Sequence, residues 1–241
     1  MHPFIDIHSH ILPGIDDGLN HLAETLETFV ELKKLGIGTI FCTPHQKEGS
    51  LNPPLLSIDQ VFDAVVDEAG SQIRLFKGVE NYFDPQFYER VSQRTVPTYG
   101  GSPYFLFELP PFTPVARFED LVFQMNINGY HPILAHIERY EWIKASQLKA
   151  LHSSMLYQVN ITSFVEEVTP KARFKKVIRL MEKGLIDFLA TDLHNKEIIP
   201  RVGEGMAFIE DHYGAETLHR LFSRNPRKIV KAIKSMEGPT S

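Results

Sequence analysis

The chain has 241 residues, 43% of them hydrophobic and 23% charged, with a formal net charge of −5. That length suits one sizeable α/β domain, the hydrophobic share excludes wholesale disorder, and the acidic balance argues against a nucleic-acid-binding surface. Cys42 is the only cysteine, which excludes an intrachain disulfide and fits a reducing, cytoplasmic compartment. A polar His-Ser-His stands within the first ten residues, where a secretion signal needs its apolar core. No apolar run approaches the ~20 residues of a bilayer span, so membrane insertion is not expected.

Residues 5–10 read as a first strand, on which His8 and His10, two apart, share a face. Pro13, Gly14 and Gly18 turn the chain into a loop that carries Asp16 and Asp17. Asn20 is placed to cap a helix in which Leu22, Leu26, Phe29, Val30 and Leu35 recur at helical spacing, with Gly36 ending it. A second strand over 37–43 closes on Pro44-His45, and Ser57 opens a helix that reaches Ala69. The third strand, 73–79, ends at Glu80, and Asp84-Pro85 starts a short helix running to Ser92.

The same rhythm continues. A fourth strand over 104–107 ends at Glu108, and a helix marked by Phe118, Leu121, Val122 and Met125 stops near Gly129. The fifth strand, 132–135, ends at His136; Ser146 caps a helix through Met155; the sixth strand, 156–161, contains Asn160. Thr169-Pro170 opens a helix to Lys183 with Gly184 behind it, and the seventh strand, 186–190, finishes on Asp192 and His194. Helices over 203–212, 215–222 and 226–236 complete the chain, and 237–241 is expected to fray. No linker or repeat divides residues 1–241, so one domain is expected.

Strands alternating with helices imply a parallel sheet with right-handed crossovers. An open sheet brings only a few strand ends to its crevice, whereas a barrel sets all of them round one mouth. Polar residues end six of the seven strands, so a distorted (β/α)7 barrel with its site at the carboxyl-terminal mouth is the expected fold. His8, His10, Asp17, His45, Glu80, Glu108, His136, Asp192 and His194 all occupy that position. Five imidazoles and four carboxylates exceed the needs of one ion and suit a cluster of two or three divalent cations. Such a cluster activates a bound water to hydroxide and clamps phosphoryl oxygens, which makes a hydrolase without a protein nucleophile.

These motifs resemble the PHP (polymerase and histidinol phosphatase) family: His8-x-His10, Thr43-Pro44-His45, Glu80, His136 and Asp192-x-His194. Within it, residues 6–10, Asp16-Asp17-Gly18, residues 135–140 and residues 225–229 resemble bacterial tyrosine-protein phosphatases of capsule and exopolysaccharide synthesis, the CpsB/YwqE type. Other branches usually place histidines where Asp17 and Glu108 stand. The resemblance covers essentially the whole chain. It implies the PHP barrel and three metals, manganese foremost, with iron, zinc or magnesium as alternatives. The implied substrate is phosphotyrosine on the tail of a cognate bacterial tyrosine kinase, and a homo-oligomer is compatible with it.

Carried over residue by residue, the resemblance gives a first metal to His8, His10, Glu80 and Asp192. Glu80 bridges to a second, completed by Glu108 and His136; Asp17, His45 and His194 hold a third. Arg139 matches a phosphate-binding arginine, and Arg201 stands for a second, at a longer interval from the last histidine than the family shows. Asp6 and Asp16 are read as supports, and His2, His21, His131, His152, His212 and His219 as ordinary groups away from the site. The alternatives are a PHP phosphatase acting on a small phosphomonoester such as histidinol phosphate or a sugar phosphate, a metal-dependent amidohydrolase, and a non-catalytic kinase-binding barrel.

Overall fold

The computed structural model describes residues 3–236; His2 and the tail expected to fray lie outside the described residues. Every strand pairing is parallel. Three strands, β1 (Phe4–Ser9), β2 (Ile37–Cys42) and β4 (Arg74–Lys77), pair in that order. Six more follow the order β3 (His45–Gln46), β5 (Glu80–Tyr82), β6 (Tyr104–Glu108), β7 (His131–Leu134), β8 (Leu156–Asn160) and β9 (Phe188–Ala190).

The expected second and third strands are each interrupted. Thr43-Pro44 parts β2 from β3, because proline has no N–H for the ladder. Gly78-Val79 parts β4 from β5, and the Tyr99 ring fills the space where a Gly78 Cβ would stand, 2.5 Å away. Backbone bonds from Gly78 N to Cys42 O (2.9 Å) and from Glu80 N to Pro44 O (3.1 Å) carry the pairing across both breaks. At the other edge β1 meets the segment after β9: Asp192 N donates to His8 O and His10 N to Leu193 O, both at 2.9 Å. The Asp6 carboxylate reinforces that seam by accepting from Thr191 N (3.0 Å) and its hydroxyl (2.5 Å). The parallel sheet is therefore curled.

Ile5, Ile7, Phe41, Leu106, Ile133, Ala135, Phe188 and Ala190 form one cluster inside the curl, which Ile229 and Ile233 also join. The last two come from α9 (Pro226–Met236), so they stopper the cluster from the C-terminal helix. A second, larger cluster joins the sheet's other face to α1 (Leu22–Lys34), α2 (Leu55–Ala69), α3 (Phe87–Gln93), α4 (Phe118–Ile127), α5 (Ala145–Leu151), α6 (Lys171–Glu182) and α7 (Ile199–Tyr213). Complete burial of a Leu, Ile, Val or Phe stabilises by ~1.5–3 kcal/mol, and dozens are buried here.

Helix starts differ from expectation where a cap was read from residue type alone. His21 rather than Asn20 is the cap residue of α1, and Pro54 rather than Ser57 precedes α2. Lys144 rather than Ser146 caps α5, with the Gln147 side chain accepting from its N–H at 3.2 Å, and the helix stops at Leu151, short of Met155. α7 begins four residues earlier than expected, with a proline in its first turn. The expected helix over 215–222 is α8 (Ala215–His219) followed by a π-helical turn at Arg220–Arg224. No helix among the described residues is long and apolar enough to cross a membrane.

Candidate metal centre

The strand ends converge. His8 and His10 leave β1 buried, and the Asp16-Asp17-Gly18 loop folds back over His10 so closely that a Cβ on Gly18 would lie 1.9 Å from the His10 carbonyl oxygen. Glycine is thus required there by close approach. Asp16, the expected support, accepts from His10 Nδ1 at 2.6 Å and from the His45 backbone N–H at 3.0 Å. Glu80 opens β5 fully buried, and Glu108 closes β6. His136 and Asp192 follow β7 and β9 in left-handed backbone conformation, φ 30° and 52°. Residues other than glycine tolerate that region at a cost of ~1–2 kcal/mol, and strain of this kind gathers at functional sites.

All nine expected ligands meet in four overlapping donor sets. These are His10, Asp17, His45 and His194; His8, His136 and Asp192; His8, His10 and Glu80; and His45, Glu80 and Glu108. His8 Nε2 lies 3.1 Å from His10 Nε2 and 3.3 Å from both Glu80 Oε2 and Asp192 Oδ1. His10 Nε2 is 3.4 Å from Glu80 Oε2 and 3.6 Å from Asp192 Oδ1. Donors sharing one ion at about 2.1 Å stand roughly 3.0–3.4 Å apart in octahedral or tetrahedral arrangement. The separations from the two imidazoles, 3.1–3.6 Å, are close to that spacing.

The other oxygen of Glu80, Oε1, faces His136 Nε2 at 2.8 Å, and Glu108 Oε2 is 3.7 Å from the same nitrogen. Asp17 Oδ1 stands 3.4 Å from both His45 Nε2 and His194 Nε2. His45 also turns Nδ1 toward Glu80 Oε2 (3.0 Å) and Glu108 Oε1 (3.4 Å). Neither His45 Nδ1 nor Glu80 Oε2 makes a hydrogen bond of acceptable geometry, although both are buried. Orphaned atoms of this kind are costly without a partner. A divalent cation supplies one, so the donor set fits the implied metals.

Charge tells the same story. Burial opposes ionisation of Glu80, yet His8, His10, His136 and His45 hold its carboxyl well below the usual range. Burial likewise opposes the charged imidazoles, but Asp16 and Glu80 push His10 up to about 9, while Glu108 and Glu80 push His45 up to about 11. The surplus of carboxylates draws positive charge into the cage, as protons or as metal.

Arg139 sits on a 3₁₀ turn, Ile137–Arg139, with the side chain 37% exposed and Nη2 donating to Asp192 Oδ2. Lys176 pins that turn, donating to Ile137 O (2.9 Å) and Tyr140 O (2.6 Å). Arg201 is not brought to the cluster: it lies exposed on α7, paired with Glu204 at 2.6 Å. The chain interval from His194 carries no information about which way a helix turns a side chain.

Sequence reasoning missed three buried supports. The Tyr140 hydroxyl accepts from Leu109 N (3.1 Å) and stands 3.3 Å from His136 Nδ1. Gln158 and Asn160 bond to His8, His136 and Asp192. Gln158 and Asn160 are two apart on β8 and so share a face, but as neutral amides they carry no signal of their own in the sequence. His21, His131, His152, His212 and His219 stay outside the donor sets, and Cys42 is buried with its thiol pushed far up by desolvation.

A curled parallel β/α sheet that gathers histidines and carboxylates at its strand ends is a scaffold of the class suited to holding divalent metal. The family model for capsular polysaccharide synthesis, CpsB/CapC, matches residues 4–231, and the chain belongs to that family. It is 30% identical to the tyrosine-protein phosphatase YwqE of Bacillus subtilis, over 90% of this chain and 88% of the relative. It is 29% identical to the tyrosine-protein phosphatase CpsB of Streptococcus agalactiae, over 94% and 98% respectively. Its fold superposes with a TM-score of 0.82 and 24% identity, over 95% of this chain and 94% of the other, on a crystal structure reported for YwqE of B. subtilis and CpsB of Streptococcus pneumoniae, described as unique metal-dependent tyrosine phosphatases.

Proposed function

We propose that this chain is a metal-dependent protein-tyrosine phosphatase that regulates capsule or exopolysaccharide synthesis from the cytoplasm. Its substrate is the phosphotyrosine-bearing tail of a cognate bacterial tyrosine kinase. The observation that carries the reading is the cage of His8, His10, Glu80 and Asp192, in which the two imidazole Nε2 atoms stand 3.1–3.6 Å from each other and from Glu80 Oε2 and Asp192 Oδ1, while the buried Glu80 Oε2 makes no hydrogen bond. Residues 1–241 act as one catalytic domain. With β2 and β3 counted as one strand, and β4 and β5 as another, the curl is a distorted seven-stranded barrel with the cage at its carboxyl-terminal mouth.

Three divalent ions, manganese foremost and iron, zinc or magnesium otherwise, would occupy the cage. His8, His10, Glu80 and Asp192 would hold one; Glu80, Glu108 and His136 the second; Asp17, His45 and His194 the third. The division of Glu80, Oε2 toward the first set and Oε1 toward His136, supports a bridging carboxylate. When bound, divalent cations lower the pKa of coordinated water toward neutrality and neutralise phosphoryl charge.

The chain's own groups do the rest. Arg139 keeps one guanidinium nitrogen on Asp192 and offers its remaining N–H groups to the phosphoryl oxygens, its planar fork matching them. The departing tyrosine phenolate has an ordinary pKa of ~10, so it leaves without a general acid. Cys42 lies inside β2, buried and protonated, and takes no part.

The test is elemental analysis of the purified protein, with turnover of a phosphotyrosyl peptide and of histidinol phosphate before and after chelation. Bound metal and chelator-sensitive preference for the phosphopeptide is the expected result. Preference for histidinol phosphate would move the chain to the small-substrate phosphatases, and inertness toward both, with metal bound, would make it a binding module.

A further inference from the structure

We infer that Gln158 and Asn160 form a proton-locating relay that keeps a proton on His8 Nδ1 and so leaves Nε2 as the nitrogen that faces the cation cage. The relay runs between two ends whose polarity is fixed by chemistry. At one end Asp192 Oδ2 can only accept, so the group 2.7 Å from it is the Asn160 amide nitrogen. Asn160 Oδ1 therefore points away and accepts from Gln158 Nε2 at 2.8 Å. At the other end the His136 backbone N–H can only donate, and the atom 2.8 Å from it is Gln158 Oε1. Both ends thus set the Gln158 amide the same way round.

The consequence falls on His8. Its Nδ1 lies 3.1 Å from the same Gln158 oxygen, which has no proton to give, so the imidazole must supply one. Nε2 is then the nitrogen left to face His10, Glu80 and Asp192, where it takes either a proton or a cation. Gln158 and His8 are fully buried and Asn160 is 5% exposed, so water does not compete for these bonds. Metal-bound histidines need an acceptor on their second nitrogen to hold the tautomer and the ring orientation. Here the acceptor is a neutral amide, itself oriented by a carboxylate from the same cage. Asp192 does both jobs: Oδ1 faces the imidazoles and Oδ2 starts the relay. Gln158 is thus a positioning residue, and the inference rests on the metal reading of the cage.

The experiment measures Mn2+ affinity of metal-stripped full-length protein by competition with a chromophoric chelator, beside 15N NMR of the His8 ring without metal. The wild type is expected to hold the His8 proton on Nδ1. Gln158→Leu, close in size but unable to accept, should weaken Mn2+ binding about 10–100-fold and leave His8 in mixed tautomers. Gln158→Glu restores an acceptor and should return the affinity to within about fivefold of wild type, which a merely space-filling role would not do. Wild-type protein that binds no Mn2+ but shows the Nδ1 proton would refute the metal reading and leave the relay standing. A His8 Nδ1 without a proton in wild type, or unchanged affinity in Gln158→Leu, would overturn the relay; the wild-type spectrum decides if that variant does not fold.

Discussion

Replacement of Arg139 by alanine separates phosphate recognition from metal binding, because the two oxygens of Asp192 face different partners. Oδ2 receives Arg139 and Asn160, whereas Oδ1 stands 3.3 Å from His8 and 3.6 Å from His10. Loss of the guanidinium leaves Oδ1 in place and Oδ2 still held by Asn160 at 2.7 Å. Metal content should therefore stay at the wild-type level. The phosphoryl group loses two charge-assisted hydrogen bonds, each worth ~1.5–3 kcal/mol. With the side chain 37% exposed the lower end applies. About 3 kcal/mol corresponds to a fall in kcat/KM of about 10²-fold. Arg139→Lys should fall between, since an ammonium restores charge without the fork. The assay pairs phosphotyrosyl-peptide kinetics with elemental analysis of the same preparation. Loss of metal from Arg139→Ala, or kcat/KM within threefold of wild type, refutes the division of labour at Asp192.

Four further outcomes follow from the same geometry. Glu80→Gln keeps volume but removes the charge that four imidazoles face, so metal and turnover should vanish together; full turnover would disprove the bridging role. His10 (about 9) and His45 (about 11) sit above the unfolded value of 6.5, so in metal-free protein their stabilisation is complete below pH 6.5 and is lost as pH rises through about 9 to 11. Mn2+ must displace those protons, and calorimetry at pH 7.5 in two buffers of different ionisation enthalpy should show net proton release; none would contradict the charge state described. Chelation should lower Tm: metal at a hundredfold excess over Kd contributes ~2.7 kcal/mol, or roughly 5–11 °C for a chain of this size. Tyr99→Phe leaves the Ile7 carbonyl without the hydroxyl that donates to it at 2.7 Å, and thermal unfolding should report a loss of about 1–3 kcal/mol with metal content intact.

The convergence of the candidate donors was readable because nearly all are ionisable residues at the end of an apolar run, and a parallel sheet sends those ends to one side. His45 and Glu80 were found that way even though their strands break at Pro44 and Gly78, whose residue types already hinted at interruption. The supports were harder. Gln158 and Asn160 are neutral amides inside a strand, and nothing local distinguishes an amide that orients a histidine from one that faces solvent. Arg201 was harder still, since residue type and chain interval do not say which way a helix turns a side chain; it pairs with Glu204 on the surface of α7. The left-handed turns at His136 and Asp192 had no glycine to announce them, since there the side chain itself must be kept.

The seam between β1 and the segment after β9 also orders events during synthesis. His8 and His10 are made 184 residues ahead of Asp192 and His194 respectively. A nascent chain thus exposes two histidines with no cage around them, and long-range pairing of this kind forms late. On the metal reading, a chain that stops before β9 lacks two of the donors and, with them, the stabilisation that a bound ion would add against unfolding and proteolysis.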